Sequence, residues 1–246
     1  MNKIFGYLVL VGIFIFPEIQ QAVASQEILD EVRAAYQNMN SYSSQMEIIE
    51  DFTIAGQPDK TTTSASIKLL KPNFYNISWK QESQTSSGEA SIHQGVVWNN
   101  EKGSFMYNEG SYIKAISDKE NIAAALNYLA GWRASTIPMI FFHFDEDLRN
   151  TLDTLKDVQL TGSELIDGED CYILELSPAS APISKEIYWI SKSRKVFLKI
   201  KEISDADPNR PTVSGTKTIL YKNIEINPKL DAANLEYLVP SGTVLQ

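Results

Sequence analysis

His93 and His143 are the chain's two imidazoles and Cys171 its one thiol, so metal and nucleophile chemistry have few side chains to draw on. The histidines fall on different predicted elements and outside any H-x-x-x-H or H-E-x-x-H pattern. His143-Phe144-Asp145-Glu146-Asp147 could attract a divalent cation, but a hard-cation loop alternates its oxygen ligands and turns on a glycine. The run reads better as the acidic first turn of a helix. Ser163 follows Gly162 without the rest of a nucleophile elbow. Cys171 sits inside an apolar alternation with no basic neighbour, the setting of a packed, inert thiol. Acidic pairs such as Asp51 and Asp59, or Asp167 and Asp170, lie at predicted turns, where carboxylates are ordinary. A hydrolase using buried carboxylates stays open as a third reading and requires two acidic side chains to converge. Asn76-Ile77-Ser78 matches a glycosylation sequon inside a predicted strand. With no phosphate loop and no C-x-x-C, the sequence predicts a protein without catalysis, metal or cofactor.

Charge narrows the partners. Acidic residues outnumber basic ones 31 to 22, a net charge of −9. That balance argues against nucleic acid, whose affinity rests on Lys and Arg neutralising phosphates, and against adsorption to an anionic bilayer. An apolar share of 43% is too high for a disordered chain, and a single Cys excludes an intrachain disulfide.

Lys3, the apolar run Ile4 to Phe16, Pro17 and Ala22-Val23-Ala24 together make a secretory signal pattern. We expect residues 1–24 to be removed by cleavage after Ala24; the rival is an uncleaved signal anchor. The run is short of the roughly 20 apolar residues a membrane span needs, so no stable span is expected after cleavage. No Cys follows it to take a lipid. Export without disulfides points to the periplasm. Residues 25–246 then form one domain.

The elements that would position any site come in two groups of strands. Ile28, Leu29, Val32, Ala35 and Tyr36 make one helical stripe over 26–38, with Ser25 as its N-cap. From Met46 the period becomes two, with Glu50 breaking the apolar set. The turns Gly56-Gln57-Pro58-Asp59, Lys71-Pro72-Asn73, Asn99 to Gly103 and Asn108-Glu109-Gly110 divide an antiparallel meander. Residues 118–156 interrupt it with helical and apolar stretches, including Leu129, Ile140 and Phe141. Strand patterns return from Val158, turn at Asp167-Gly168, and continue to Ile226 before a short piece around Leu235 to Tyr237. The fold class is therefore α+β: one curved, half-open antiparallel sheet of about ten strands, covered by helices on one side. Large aromatics recur in its strands, and such a sheet can leave an apolar hollow.

Several segments, in order, resemble the periplasmic lipoprotein-carrier fold of the LolA/LolB-like superfamily, nearest to a branch of predicted periplasmic proteins of unassigned function. KPNFYNISW (71–79) is similar to its R-P-N-x-x-x-W strand, HQGVVWNNEKGSFMY to its D-G-x-x-x-W-x-Y hairpin, and DGEDCYILELSP to a later hairpin. EIYWISKSRKVFLKIKEIS resembles its strand pair with a charged turn, and the ending through Tyr237 to Gly242 its closure. The resemblance implies a hollow that holds acyl chains beneath a lid at 118–156. Tyr75, Ile77, Trp79 and Trp98 would line it from the sheet, and Leu129, Ile140 and Phe141 from the lid. Two positions depart from the pattern, Lys71 for the carrier arginine and Gln94 for the aspartate. That arginine is associated with holding the lid, which makes Lys71 the lid-latch candidate; an ammonium lacks the guanidinium's fork of donors. The first functional expectation is a carrier for a lipophilic ligand, a lipoprotein or lipid. The second is a protein-interaction or envelope-stress sensor module with a self-filled core, whose partner would be an envelope protein.

Overall fold

The computed structural model describes residues 17–84, 90–108, 111–114, 156–177, 183–205 and 213–245. The lid expectation, with Leu129, Ile140, Phe141 and His143, lies outside the described residues, as does the apolar run 4–16.

The helix α1 covers Pro17–Asn38 among the described residues. The helix starts well before Ser25, which is fully buried within it instead of capping it. No Gly or Pro separates Pro17 from Ser25, so nothing local stops the helix. The expected cleavage position therefore falls inside α1.

Twelve strands follow among the described residues: β1 (Ser41–Ile54), β2 (Gln57–Leu70), β3 (Phe74–Gln84), β4 (Ala90–Asn100), β5 (Gly103–Asn108), β6 (Ser111–Lys114), β7 (Lys156–Ile166), β8 (Glu169–Ser177), β9 (Lys185–Ser191), β10 (Phe197–Ser204), β11 (Val213–Ile226) and β12 (Val244–Leu245). They form one sheet in the order β12-β6-β5-β4-β3-β2-β1-β11-β10-β9-β8-β7. Neighbours are antiparallel except β12, which runs parallel to β6. The sheet is open, with β12 and β7 as its edges. Two meanders meet at a central seam where β1 pairs with β11.

The first hairpin turns at Ala55 and Gly56, with φ of 51° and 79°. Two successive positive values are the tight turn whose twist suits antiparallel strands. Its place is two residues earlier than the Gln57-Pro58 expectation, and Pro58 lies in β2 opposite Thr53. Asp167 and Gly168 make the same turn between β7 and β8, where the sequence predicts it.

Residues directly paired across strands share a face, which lets one inner face be traced across the sheet. Met46, Ile48, Ala65, Ile67, Leu69, Tyr75, Ile77, Leu174, Tyr188, Ile200, Ile219 and Tyr221 are buried on it. The predicted stripe of α1 packs here. Tyr36 stacks with Phe197 at 6.2 Å and tilts against Tyr42 at 5.6 Å. Burying large side chains of this kind contributes about 1.5–3 kcal/mol each.

The opposite face carries a smaller core. After β11 the chain crosses back, makes a 3-10 turn at Ala232–Leu235 capped by the Asp231 side chain, and lies over β3 to β5. Tyr237 packs on Trp98 at 5.5 Å and on Tyr107 at 5.4 Å, while Asn76 Nδ2 donates to the Leu235 carbonyl at 2.9 Å. Asn76 of the sequon is thus engaged under this tail.

Candidate functional site

Tyr75, Ile77 and Trp79 alternate along β3 and project together onto the inner face, each under 5% exposed. Trp98 does not join them. From β4 it pairs with Asn76 of β3, faces the other side of the sheet, and stacks on Phe105 at 5.4 Å. Of the four sheet positions expected to line one hollow, the structure brings three together. Beside Trp79 stand two small neighbours, Ala65 on β2 and Gly95 on β4.

Lys71 follows β2 and holds the end of α1. Its ammonium donates to the Gln37 carbonyl, and its backbone N–H to the Asn40 carbonyl at 2.9 Å. A cation on the last free carbonyls of a helix is favourable. Burial pushes this ammonium's pKa down. The described contact of the latch candidate is therefore with the helix end.

A feature that the sequence reading missed crosses the inner face at its other end. Glu50, Lys217, Glu202 and Glu186 are successive cross-strand partners on β1, β11, β10 and β9. Lys217 Nζ lies 3.9 Å from Glu50 Oε1 and 3.9 Å from Glu202 Oε2. Glu186, Glu202 and Lys217 are at most 5% exposed, and the Tyr188 hydroxyl donates to Glu186. Burial, with Glu186 beside it, raises the Tyr188 pKa well above the ordinary phenol value, and burial raises Tyr221 likewise. The signal was present in the strand phase: Glu186 keeps step with Tyr188, Glu202 with Ile200, and Lys217 with Ile219.

Burial also raises the Glu50 carboxyl, against the pull of Lys217. A carboxyl raised in the fold favours folding below its unfolded value and opposes it as pH rises through the folded one. Glu50→Gln should therefore increase the unfolding free energy at neutral pH and leave it unchanged below the carboxyl range. Urea melts at the two pH values check this, and an equal change at both would assign the effect to packing.

The row supplies the convergence of carboxylates that a hydrolase requires, at Glu186 and Glu202. It does so in a setting closed to solvent and engaged by Lys217 and Tyr188. Among the described residues no three His, Cys, Asp or Glu side chains are placed to hold a metal ion. Cys171 is buried, and burial with Glu169 nearby pushes its thiol up to about 11, so it is no nucleophile at neutral pH. His93 is exposed on β4.

The described residues define an open antiparallel sheet whose apolar inner face is covered by an amino-terminal helix. The chain belongs to the family described as predicted periplasmic protein (DUF2092), whose model matches residues 25–244. It is accordingly a periplasmic protein. Solved structures similar to it include MucB, at 11% identity and a TM-score of 0.48 over 87% of this chain; the chain spans 63% of that protein's length. LprF from Mycobacterium bovis is 12% identical with a TM-score of 0.48, over 90% of this chain and 98% of that one. A LolA superfamily protein from Nitrosomonas europaea is 13% identical with a TM-score of 0.29, over 87% and 97% of the two chains. No curated protein matches the chain in sequence.

Proposed function

We propose that the chain is a non-catalytic binding or carrier module that holds a lipophilic ligand, the acyl chains of a lipoprotein or lipid, against the inner face of its sheet. In this reading the signal segment is cleaved after Ala24 and residues 25–246 act as one domain. The supporting observation is the apolar patch on β3, where Tyr75, Ile77 and Trp79 project together next to the small residues Ala65 and Gly95. Hydrophobic transfer drives uptake at about 0.8 kcal/mol for each methylene buried. Residues 118–156 serve as the cover, and Leu129, Ile140 and Phe141 complete the apolar lining.

The test is native mass spectrometry of protein purified from the periplasm, with thermal melts in the presence of an acylated peptide. Co-purified lipid and a raised melting temperature are expected, because a ligand that binds only the folded state stabilises it. A bare chain whose melting temperature the acylated peptide leaves unmoved overturns the reading.

A second reading follows from the closure of that same patch. Tyr75 and Ile77 are 0% and 1% exposed, as they would be in a core filled by the chain itself. The module would then bind an envelope protein through its surface. Pull-down from envelope extract, with sedimentation of the captured complex, separates it from the carrier reading.

A further inference from the structure

We propose that Gly95 sets the depth of the lipophilic site by letting the Trp79 indole lie flat on the sheet, so that the two residues together fix the length of acyl chain accepted. The proposal rests on the carrier reading and deepens it.

Glycine within a strand sacrifices packing and conformational entropy, and often marks a place where another group comes close to the backbone. At Gly95 that group is the indole. A Cβ added there would lie 2.4 Å from Trp79 Cζ2, 2.8 Å from Cη2 and 2.9 Å from Cε2. Carbon atoms in contact sit about 3.5–4.0 Å apart, so an alanine requires the ring to rise by roughly 1 Å or more. The ring's other cross-strand neighbour is Ala65. The largest side chain of this row is therefore flanked by two of the smallest, and it fills the shallow space over β4 instead of standing up from β3.

Lifting the indole takes volume from the side of the sheet on which the ligand would lie. An acyl chain that loses about two buried methylenes binds roughly tenfold more weakly. A chain short enough to end before the ring is unaffected. Gly95 and Trp79 thus act on ligand length more than on binding as such.

The experiment measures affinity of the full chain for saturated fatty acids from decanoate to stearate, by displacement of a fluorescent acid. In the natural sequence affinity should rise with length and then level off. Gly95→Ala should move the plateau to a shorter acid, weaken stearate by about tenfold and leave decanoate unchanged. Trp79→Phe in the Gly95→Ala background should move the plateau back. Trp79→Leu, which introduces no overpacking, should move it toward longer acids and serves if Gly95→Ala does not fold. A uniform loss across all lengths, or an unchanged profile in both single variants, overturns the proposal and leaves the pair a purely structural contact. Failure of the natural sequence to bind any acid is a different outcome: it overturns the carrier reading, and this inference with it.

Discussion

Lys217→Met should lower the unfolding free energy by about 3–5 kcal/mol at neutral pH, the cost of breaking a buried charge arrangement by removing one partner. The ammonium stands between Glu50 and Glu202 at 3.9 Å from each and is 3% exposed. Without it, neighbouring strands carry carboxylates whose charge the row no longer offsets. The loss should shrink as the pH falls, because the carboxyl groups can then take up protons instead of remaining charged in the core. Lys217→Arg, which keeps the charge, should retain most of the stability. Urea melts over a pH series give the measurement; a loss that does not change with pH would mean that packing by the lysine stem, not its charge, stabilises this part of the sheet.

Gly215→Ala should cost about 3 kcal/mol or more, the upper end for overpacking together with strain at an unfavourable φ. Gly215 has a φ of +149°, and a Cβ there would lie 2.3 Å from the Asp51 carbonyl oxygen and 2.6 Å from Phe52 Cα. Both are backbone atoms of β1, which cannot swing aside as a side chain can. The strain falls on the β1–β11 seam that joins the two meanders. Gly162→Ala is the control, since its added carbon meets only Ile173 Cδ1 at 3.9 Å. That change should lie within about 0.5 kcal/mol of the natural stability. Equal melting of the two variants would overturn the argument from close approach.

Much of this architecture was readable because one face of each meander is buried and the other is wet. The alternation at Met46 and Ile48, the stripe on α1 and the turn at Asp167-Gly168 are local signals, and each falls within an element of the expected type, although α1 extends beyond its stripe to Pro17. Trp98 shows where locality fails. Gly95 to Asn100 are buried without a break, because the returning tail covers the outer side of β4 while the core covers the inner side. Alternation vanishes in such a strand, and so does the clue to which way Trp98 points. The partner of Glu50 was hidden for a related reason. Its inward direction was already implied by the phase of β1, but the cation that makes it tolerable sits on β11 and is brought there only by the seam. A pattern read along the chain identifies a misfit and does not show what compensates it.

The central seam also has a kinetic meaning. Glu47 and Lys222 are joined by a 2.6 Å ion pair although 175 positions separate them along the chain. Hairpins within each meander can close early and cheaply, whereas β1 must wait for almost the whole chain before it acquires its second neighbour. Until then β1 is a long open edge of the amino-terminal meander, a template for mispairing with other chains. Tail residues Val244 and Leu245 then pair with β6, so the sheet's far edge is completed by the last strand of the chain. The interval between formation of β1 and arrival of β11 is therefore the period in which this edge is most exposed to other chains.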